Sequence, residues 1–342
     1  MSQYAGKTVL ITGATGLIGS HIVDKFMSME DVNVIALGRS AAKIEKGFED
    51  YLSSNMFNYI EQDITEPLNI PDATIDYIFH TAGPMESKII VNTPLDVINP
   101  NVYGTQNCLE YLRKQEVKKN VKGRMVIFSS VTIYGNISSV DIVVNEVDTA
   151  VTEKLDTIGE PYSQSKRISE VIARAYNRQY GTDVIIARFA TVYGDTRFLP
   201  DTAFFEFIRK ATSGEDIYIS SSGIKRRDNI YIDDAVSALV CLIEKGKSGE
   251  AYNISSNGEL GNFAAIDEIA KVITEVVNEK MNRTIDNRSE VFYKETMTEK
   301  RNPGLILDNK KLKALGWSLD TDLRTGVYRT IDSYMEKIKK SV

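Results

Sequence analysis

Short apolar runs alternate with stretches of helical period along the first half of the chain. Thr8–Thr12, Val32–Leu37, Asn58–Gln62, Tyr77–Thr81, Arg124–Ser129 and Val184–Phe189 have strand length and read as strands. Leu17–Met27, Val102–Lys114 and Tyr162–Tyr180 read as helices. A strand, a helix and a second strand within about 30 residues imply a parallel pair joined by a crossover. Repetition of that unit predicts an α/β fold, a doubly wound parallel sheet with helices on both faces. Past Gly194 the pattern changes. Phe204–Thr212, Asp233–Glu244, Phe263–Val277, Asn309–Leu315 and Leu323–Lys339 read as helices, and Asp216–Ile219 as a short strand. Residues 278–304 are polar, with strands that the pattern does not place. The expected organisation is one sheet domain from residues 1–190 plus about 225–250. Residues of about 191–224 and 251–342 form a smaller mixed α/β lobe.

Composition narrows the class. The chain has 342 residues, 42% of them hydrophobic and 26% charged, and a formal net charge of −6. Those values fit a globular protein and oppose disorder. Nucleic-acid binders usually show a basic face, and nothing in this charge balance demands one. No apolar run reaches the roughly 18 residues a membrane span needs, and Met1–Lys7 lacks the charged-then-apolar layout of a secretory leader. Cys108 and Cys241 alone make neither a disulfide framework nor a metal cage. The expectation is a cytoplasmic protein without a metal, a nucleic-acid partner or a membrane.

Thr12-Gly13-Ala14-Thr15-Gly16-Leu17-Ile18-Gly19 links the first strand to the first helix. Glycine permits the tight turn and lets backbone approach a pyrophosphate closely, while the helix N-terminus offers unpaired N–H groups. Gly19 lies inside the helix, where close packing on the strand would explain it. The segment therefore predicts a Rossmann-type dinucleotide site. An acid at the end of strand two would accept the ribose 2′-OH of NAD. The chain has Gly38-Arg39-Ser40 there, with Lys43 beyond and no carboxylate. Arg39 suits a 2′-phosphate, so NADP(H) is favoured, with NAD(H) the alternative. Asp63, before Ile64, could accept from an adenine amino group or simply form a turn.

Tyr162 and Lys166 are one helical turn apart on one face. A nearby ammonium lowers the pKa of a phenol and fits it for proton exchange with a hydroxyl or carbonyl oxygen. Ser130, at the exit of an apolar strand, could bind the same oxygen or merely cap the strand.

The glycine loop, His80-Thr81-Ala82-Gly83, Asn101-Val102-Tyr103-Gly104-Thr105, Ser129–Gly135 and Tyr162-x-x-x-Lys166 occur in a familiar order. With Arg227-Asp228-Asn229-Ile230-Tyr231-Ile232-Asp233-Asp234-Ala235, Arg301-Asn302-Pro303-Gly304 and Leu315-Gly316-Trp317, they resemble the extended short-chain dehydrogenase/reductases, in the nucleotide-sugar epimerase/dehydratase branch. The resemblance spans nearly the whole chain. It implies Tyr162 as acid/base, with Lys166 and Ser130 as its catalytic partners. It implies Gly13, Thr15, Gly16, Leu17, Ile18, Gly19, Arg39, Ser40, Asp63, Ile64, Thr81, Ala82, Gly83 and Asn101 around the cofactor, together with Tyr162 and Lys166. Thr132, Thr191, Arg227 and Arg301 fall on the substrate, a nucleotide-diphosphate sugar. A homodimer through Val102–Lys114 and Tyr162–Tyr180 is also implied. In the 4,6-dehydratases the two residues after the counterpart of Ser130 are typically acidic, and UDP-glucuronate decarboxylases carry a glutamate at the second. Here they are Val131 and Thr132. That demotes both chemistries, although His80–Asn101 resembles the decarboxylase-like subgroup. Thr191 stands where many relatives have Asn. The leading expectation is NADP(H)-dependent reduction of a nucleotide-linked 4-keto-6-deoxy sugar. The alternative is C4 epimerisation with bound NAD(P). A non-catalytic dinucleotide-binding regulator would typically lack the tyrosine or the lysine, and both are present.

Overall fold

The structure is a computed structural model. It describes residues 3–70, 73–135, 141–148, 157–199, 202–219, 226–293 and 304–341. The first half runs β1 (Lys7–Thr12), α1 (Leu17–Met27), β2 (Val32–Gly38), α2 (Ala41–Gly47), β3 (Phe57–Glu61), β4 (Tyr77–His80), α3 (Ser87–Asn92), α4 (Leu95–Asn99), α5 (Thr105–Lys119), β5 (Arg124–Ser130), β6 (Ile142–Val144), α6 (Glu160–Tyr180) and β7 (Asp183–Phe189). The second half runs β8 (Thr191–Tyr193), α7 (Ala203–Thr212), β9 (Ile217–Ile219), β10 (Arg227–Tyr231), α8 (Ile232–Lys245), β11 (Ala251–Ile254), β12 (Phe263–Ala264), α9 (Ile266–Lys280), β13 (Val291–Tyr293), β14 (Leu305–Leu307), α10 (Lys310–Lys313) and α11 (Leu323–Ser341).

Seven strands form one sheet in the order β11-β7-β5-β4-β1-β2-β3, and every neighbouring pair is parallel. Alternate residues of the strands serve opposite faces, as a sheet covered on both sides requires. Val9, Ile11, Val34, Val126 and Ile185 meet Phe26 and Leu239 on one face. Leu10, Ile35, Ile78, Met125 and Ile127 meet Leu109 and Leu112 on the other. Strand order reverses at β1, which lies between β2 and β4. In open α/β sheets the crevice beyond the strand ends at such a point receives the ligand. A second sheet, β12-β10-β14-β6 with β8 beside β10, and a β13-β9 pair stand apart from the main one. Among the described residues no helix is long and apolar enough to cross a membrane.

Four expectations need correction. Residues 251–254, assigned to the smaller lobe, form edge strand β11 and pair with β7 over Ala251–Ile254. Phe263 and Ala264 are not helical, because they pair antiparallel with Asp228 and Arg227. The helix begins after Ala265, whose N–H donates to Glu268 Oε2 at 2.8 Å. The helix expected over Asn309–Leu315 shortens to α10, in which Leu312 alone is buried. The helix expected from Val102 opens as a π-helical turn over Pro100–Gly104 and becomes α5 at Thr105. Such turns often mark functional positions, and this one carries Asn101.

Candidate active site

The loop after β1 is shaped by backbone meeting backbone. Gly13 has φ +67°, and a Cβ there would come within 2.8 Å of the Ala82 backbone. A Cβ on Gly19 would overlap the Gly13 carbonyl and stand 3.0 Å from Thr81 Oγ1. Thr81 Oγ1 donates to the Thr12 carbonyl at 2.7 Å, which ties the end of β4 to the loop. Gly16 precedes α1 in extended backbone and provides no side-chain cap. The N–H groups of Leu17, Ile18 and Gly19 therefore have no carbonyl of their own helix to meet, and Thr15 stands beside them half-buried. This bed of glycines and open N–H groups fits a diphosphate.

At the ends of β2 and β3 the structure divides the expected residues. Arg39 is exposed. Among the described residues its guanidinium has no ion pair or hydrogen bond. Ser40 caps α2, its Oγ accepting from the Lys43 N–H at 3.2 Å, and the Lys43 ammonium lies 5.1 Å from the centre of the Phe198 ring. Asp63 Oδ1 accepts from Thr65 N–H and Thr65 Oγ1, both at 2.8 Å, so this oxygen closes a turn. Ile64 is buried. The sequence suggested no carboxylate near the end of β2, and that is corrected. Glu61 is the β3 partner of Gly38, and its Oε1 accepts from the Ala41 N–H at 3.0 Å. Parallel pairing brings in from a neighbouring strand an acid that β2 itself lacks.

The end of β5 and the first turns of α6 bring three expected residues together. Ser130 lies near enough to Tyr162 to favour its phenolate, and Ser130 Oγ accepts from the Thr132 N–H at 3.2 Å. Lys166 Nζ donates to the Phe128 carbonyl at 2.8 Å and lies 5.6 Å from the centre of the Tyr162 ring. Burial pushes the Lys166 ammonium down to about 7. The expected lowering of the Tyr162 phenol is reversed. Burial raises it, and the nearby Ser130 side chain offsets only part of the rise. The sequence showed the spacing of the pair but not its depth, and depth decides the sign. Asn101 Nδ2 donates to Ser165 Oγ at 2.9 Å, a partner the sequence did not suggest. Asn101 Oδ1 is buried with no partner. A Cβ on Gly83 would strike that oxygen and come within 3.3 Å of Lys166 Nζ. His80 lies beneath, its Nδ1 2.8 Å from Thr12 Oγ1. Burial, helped by the Lys166 charge, pushes His80 down to about 3.

The groups expected on the substrate come from three separate places. Thr132 sits in the turn Val131–Tyr134 with its Oγ1 buried and without a partner. Thr191 opens β8 and pairs with Asn229 of β10. Arg227 is exposed at the start of β10, and its guanidinium has no ion pair among the described residues. Its neighbour Arg226 is held by Glu268 at 2.8 Å and stacks on Phe263 at 5.6 Å. Arg301 lies outside the described residues. Among the described residues no cluster of His, Cys, Asp and Glu could hold a metal.

Residues 9–255 match the model of the NAD dependent epimerase/dehydratase family. The chain is 28% identical to UDP-glucuronic acid decarboxylase 3 of Arabidopsis thaliana over 323 residues, 93% of this chain and 86% of that protein. It is 28% identical to dTDP-glucose 4,6-dehydratase of Salmonella typhimurium, covering 96% of this chain and 92% of the relative. Among solved structures it resembles UDP-glucose 4-epimerase of Thermotoga maritima, with a TM-score of 0.75, 24% identity and coverage of 97% and 99%. It also resembles UDP-glucuronic acid 4-epimerase of Bacillus cereus bound to UDP-glucuronic acid and NAD, with a TM-score of 0.74, 22% identity and coverage of 96% and 99%.

Two outcomes follow from this geometry. Gly19→Ala should weaken NADP+ and NAD+ binding by about tenfold or more, roughly 1.4 kcal/mol, because the new methyl displaces the Gly13 carbonyl. Calorimetric titration with an unchanged Kd would remove the loop from the binding site. His80 should shape acid stability. Its folded pKa lies near 3 against an ordinary 6.5, so its contribution is complete above about pH 6.5 and is lost as pH falls toward 3. The loss is on the order of 4 kcal/mol. Urea unfolding of His80→Gln should show a shallower decline over that range than the parent. Parallel curves would show that His80 takes up its proton equally well in both states.

Proposed function

The chain belongs to the NAD dependent epimerase/dehydratase family and is an enzyme of it, and from that premise we propose that it reduces a nucleotide-linked 4-keto-6-deoxy sugar with NADPH. Gly13, Thr15, Gly16, Leu17, Ile18 and Gly19 bind the dinucleotide diphosphate. Arg39 and Ser40 face the adenosine 2′ position, and Asp63 and Ile64 the adenine. Thr81, Ala82, Gly83, Asn101 and Lys166 line the nicotinamide half. Bound NADPH supplies the hydride. Tyr162 donates its phenolic proton to the sugar O4, and Ser130 donates a hydrogen bond to that oxygen as negative charge develops on it. Lys166 keeps a partial positive charge beneath them at neutral pH. Arg227, free where Arg226 is tied down, pairs with the nucleotide diphosphate, and Thr132 and Thr191 face the sugar.

The turn after Ser130 carries this reading. Its first two residues, Val131 and Thr132, provide no carboxylate. Dehydration needs a base to remove a proton from carbon and an acid for the departing hydroxyl, and this turn supplies neither. Proton exchange at one oxygen needs Tyr162 alone. C4 epimerisation makes the same modest demand, and Glu61 favours it. A carboxylate beside the end of β2 suits a free ribose 2′-hydroxyl, hence a retained NAD. A second copy of the chain is proposed on the face of Val102–Lys114 and α6, where Tyr103, Ile168 and Val171 are exposed.

The test follows absorbance at 340 nm with UDP- and dTDP-linked 4-keto-6-deoxyhexoses and NADPH. Net consumption supports reduction. Interconversion of C4 epimers without consumption supports the second reading, and silence in both overturns the proposal. Tyr162→Phe should bind dinucleotide normally and lose about a hundredfold or more in kcat. A near-normal rate would refute its role. Arg39→Asp should shift preference from NADP(H) toward NAD(H), and unchanged relative KM values would show that Arg39 does not read a 2′-phosphate. Sedimentation equilibrium should return a dimer that Val171→Asp weakens; a monomeric parent would refute the second copy.

A further inference from the structure

Tyr162, Lys166 and Glu170 recur at four-residue spacing, so they stand one above another along one face of α6. Each meets one of three successive residues at the end of β5. Tyr162 lies by Ser130, Lys166 Nζ donates to the Phe128 carbonyl, and Glu170 Oε1 accepts from Ser129 Oγ at 2.6 Å. The reaction proposed above uses the first two contacts and leaves the third unexplained.

Arg188 closes on the same carboxylate from β7. It is the cross-strand partner of Ser129. Its Nε donates to Glu170 Oε1 at 2.9 Å and a terminal nitrogen donates to Oε2 at 2.7 Å, a bidentate clasp. Both side chains are only 8% exposed. The other terminal nitrogen donates to the Tyr134 hydroxyl at 2.9 Å and to the Glu146 carbonyl at 3.0 Å. Tyr134 ends the turn that begins just after Ser130, and its hydroxyl donates to Asn253 Oδ1 at 2.8 Å.

A buried ion pair of this kind often stabilises a fold no better than well-packed apolar groups would. It adds direction, since a bidentate pair fixes angles as well as distance. We infer that Ser129, Glu170 and Arg188 are positioning residues that set the rotation and height of α6, and so hold Tyr162 and Lys166 in line with Ser130. The Ser129 contact is short and hydrogen bonds weaken steeply off line, so it opposes rotation of α6 about its axis. Displacement of about 1 Å at a reacting group can cost on the order of a hundredfold in rate, so the lock acts where small movements matter. The inference rests on the roles proposed for Tyr162, Lys166 and Ser130.

Ser129→Ala and Glu170→Gln test it beside Tyr162→Phe. With NADPH and the 4-keto sugar nucleotide, Glu170→Gln should lower kcat about tenfold or more, and Ser129→Ala about threefold to tenfold. KM and the dinucleotide Kd should stay within about twofold, and Glu170→Asp should recover part of the rate. In protein carrying 13Cε-lysine, free of substrate, the Lys166 resonance (assigned with Lys166→Met) should titrate near 7 in the parent. In Ser129→Ala it should titrate higher, because a loosened helix admits water to the amine. Unchanged kcat and an unchanged Lys166 titration in Ser129→Ala overturn the inference. If Tyr162→Phe is inactive at the same time, the proposed chemistry survives without the lock. If Tyr162→Phe is fully active, the chemistry falls instead, and the lysine titration still decides whether Ser129 places α6. Should Glu170→Gln not fold, Ser129→Ala still discriminates, since it changes neither charge nor backbone.

Discussion

A primary amine is buried at the end of a parallel sheet, and one backbone carbonyl, that of Phe128, accepts its hydrogen bond. Removing an ammonium from water is costly unless the surroundings replace its hydration, and here they do so only in part. Lys166 therefore sits near neutrality rather than at its ordinary basicity. Its neighbours are compatible with that. His80 is held neutral by its own burial and by the lysine charge, so two positive charges do not collect under the tyrosine. Gly83 lacks the methyl that would intrude on Asn101 and approach the amine. Glu170 is close in sequence, but its charge is answered by Arg188. What reaches Tyr162 is a cation of adjustable strength. A change of pH acts on it by mass action, and added water or neighbouring charge acts by moving its pKa.

The legible part of the molecule was the part governed by local pattern. The runs at β1, α1 and β2 carry their own periodicity, and the glycines between them have a steric reason that one strand and one helix suffice to state. Tyr162 and Lys166 were legible for the same reason, since helical spacing alone puts them on one face. The second sheet was not. β8, β10 and β14 have three to five residues each, and what makes them strands is pairing across long stretches of chain. Asp228 welds that region from within. It accepts from the Ser256 N–H at 3.2 Å and the Leu307 N–H at 3.0 Å, donors that only the folded chain brings together. Glu61 escaped notice because its relevance depends on which strand lies beside Gly38. The sign of the Tyr162 shift escaped because burial has no marker in a single helix.

Ancestry and chemistry part company at the turn after Ser130. Relatives of this chain include proteins named for decarboxylation and for dehydration, at 28% identity over most of its length. The reaction is decided by a few side chains around one oxygen and one carbon of the sugar. Val131 is apolar, and the Thr132 hydroxyl is buried without a partner. Neither can act as a base toward carbon at neutral pH. The turn after Ser130 thus supplies no carboxylate of its own to such chemistry.

The paired ends of β2 and β3 carry two opposite charges. Arg39 projects from the end of β2 with no partner among the described residues, while Glu61 reaches across from β3 to the Ala41 N–H. A 2′-phosphate gains the guanidinium and must tolerate the carboxylate. A 2′-hydroxyl can donate to the carboxylate and has little use for the guanidinium. Both side chains are exposed, so water and salt screen each contribution. Geometry then outweighs net charge. A guanidinium offers a planar fork that matches phosphate oxygens, and Arg39 is free to turn that fork toward the ligand. The Glu61 carboxylate is anchored through one oxygen by the Ala41 N–H. An unpaired charge adapts to a ligand more readily than an anchored one, and this asymmetry supports the proposed preference for a phosphorylated dinucleotide.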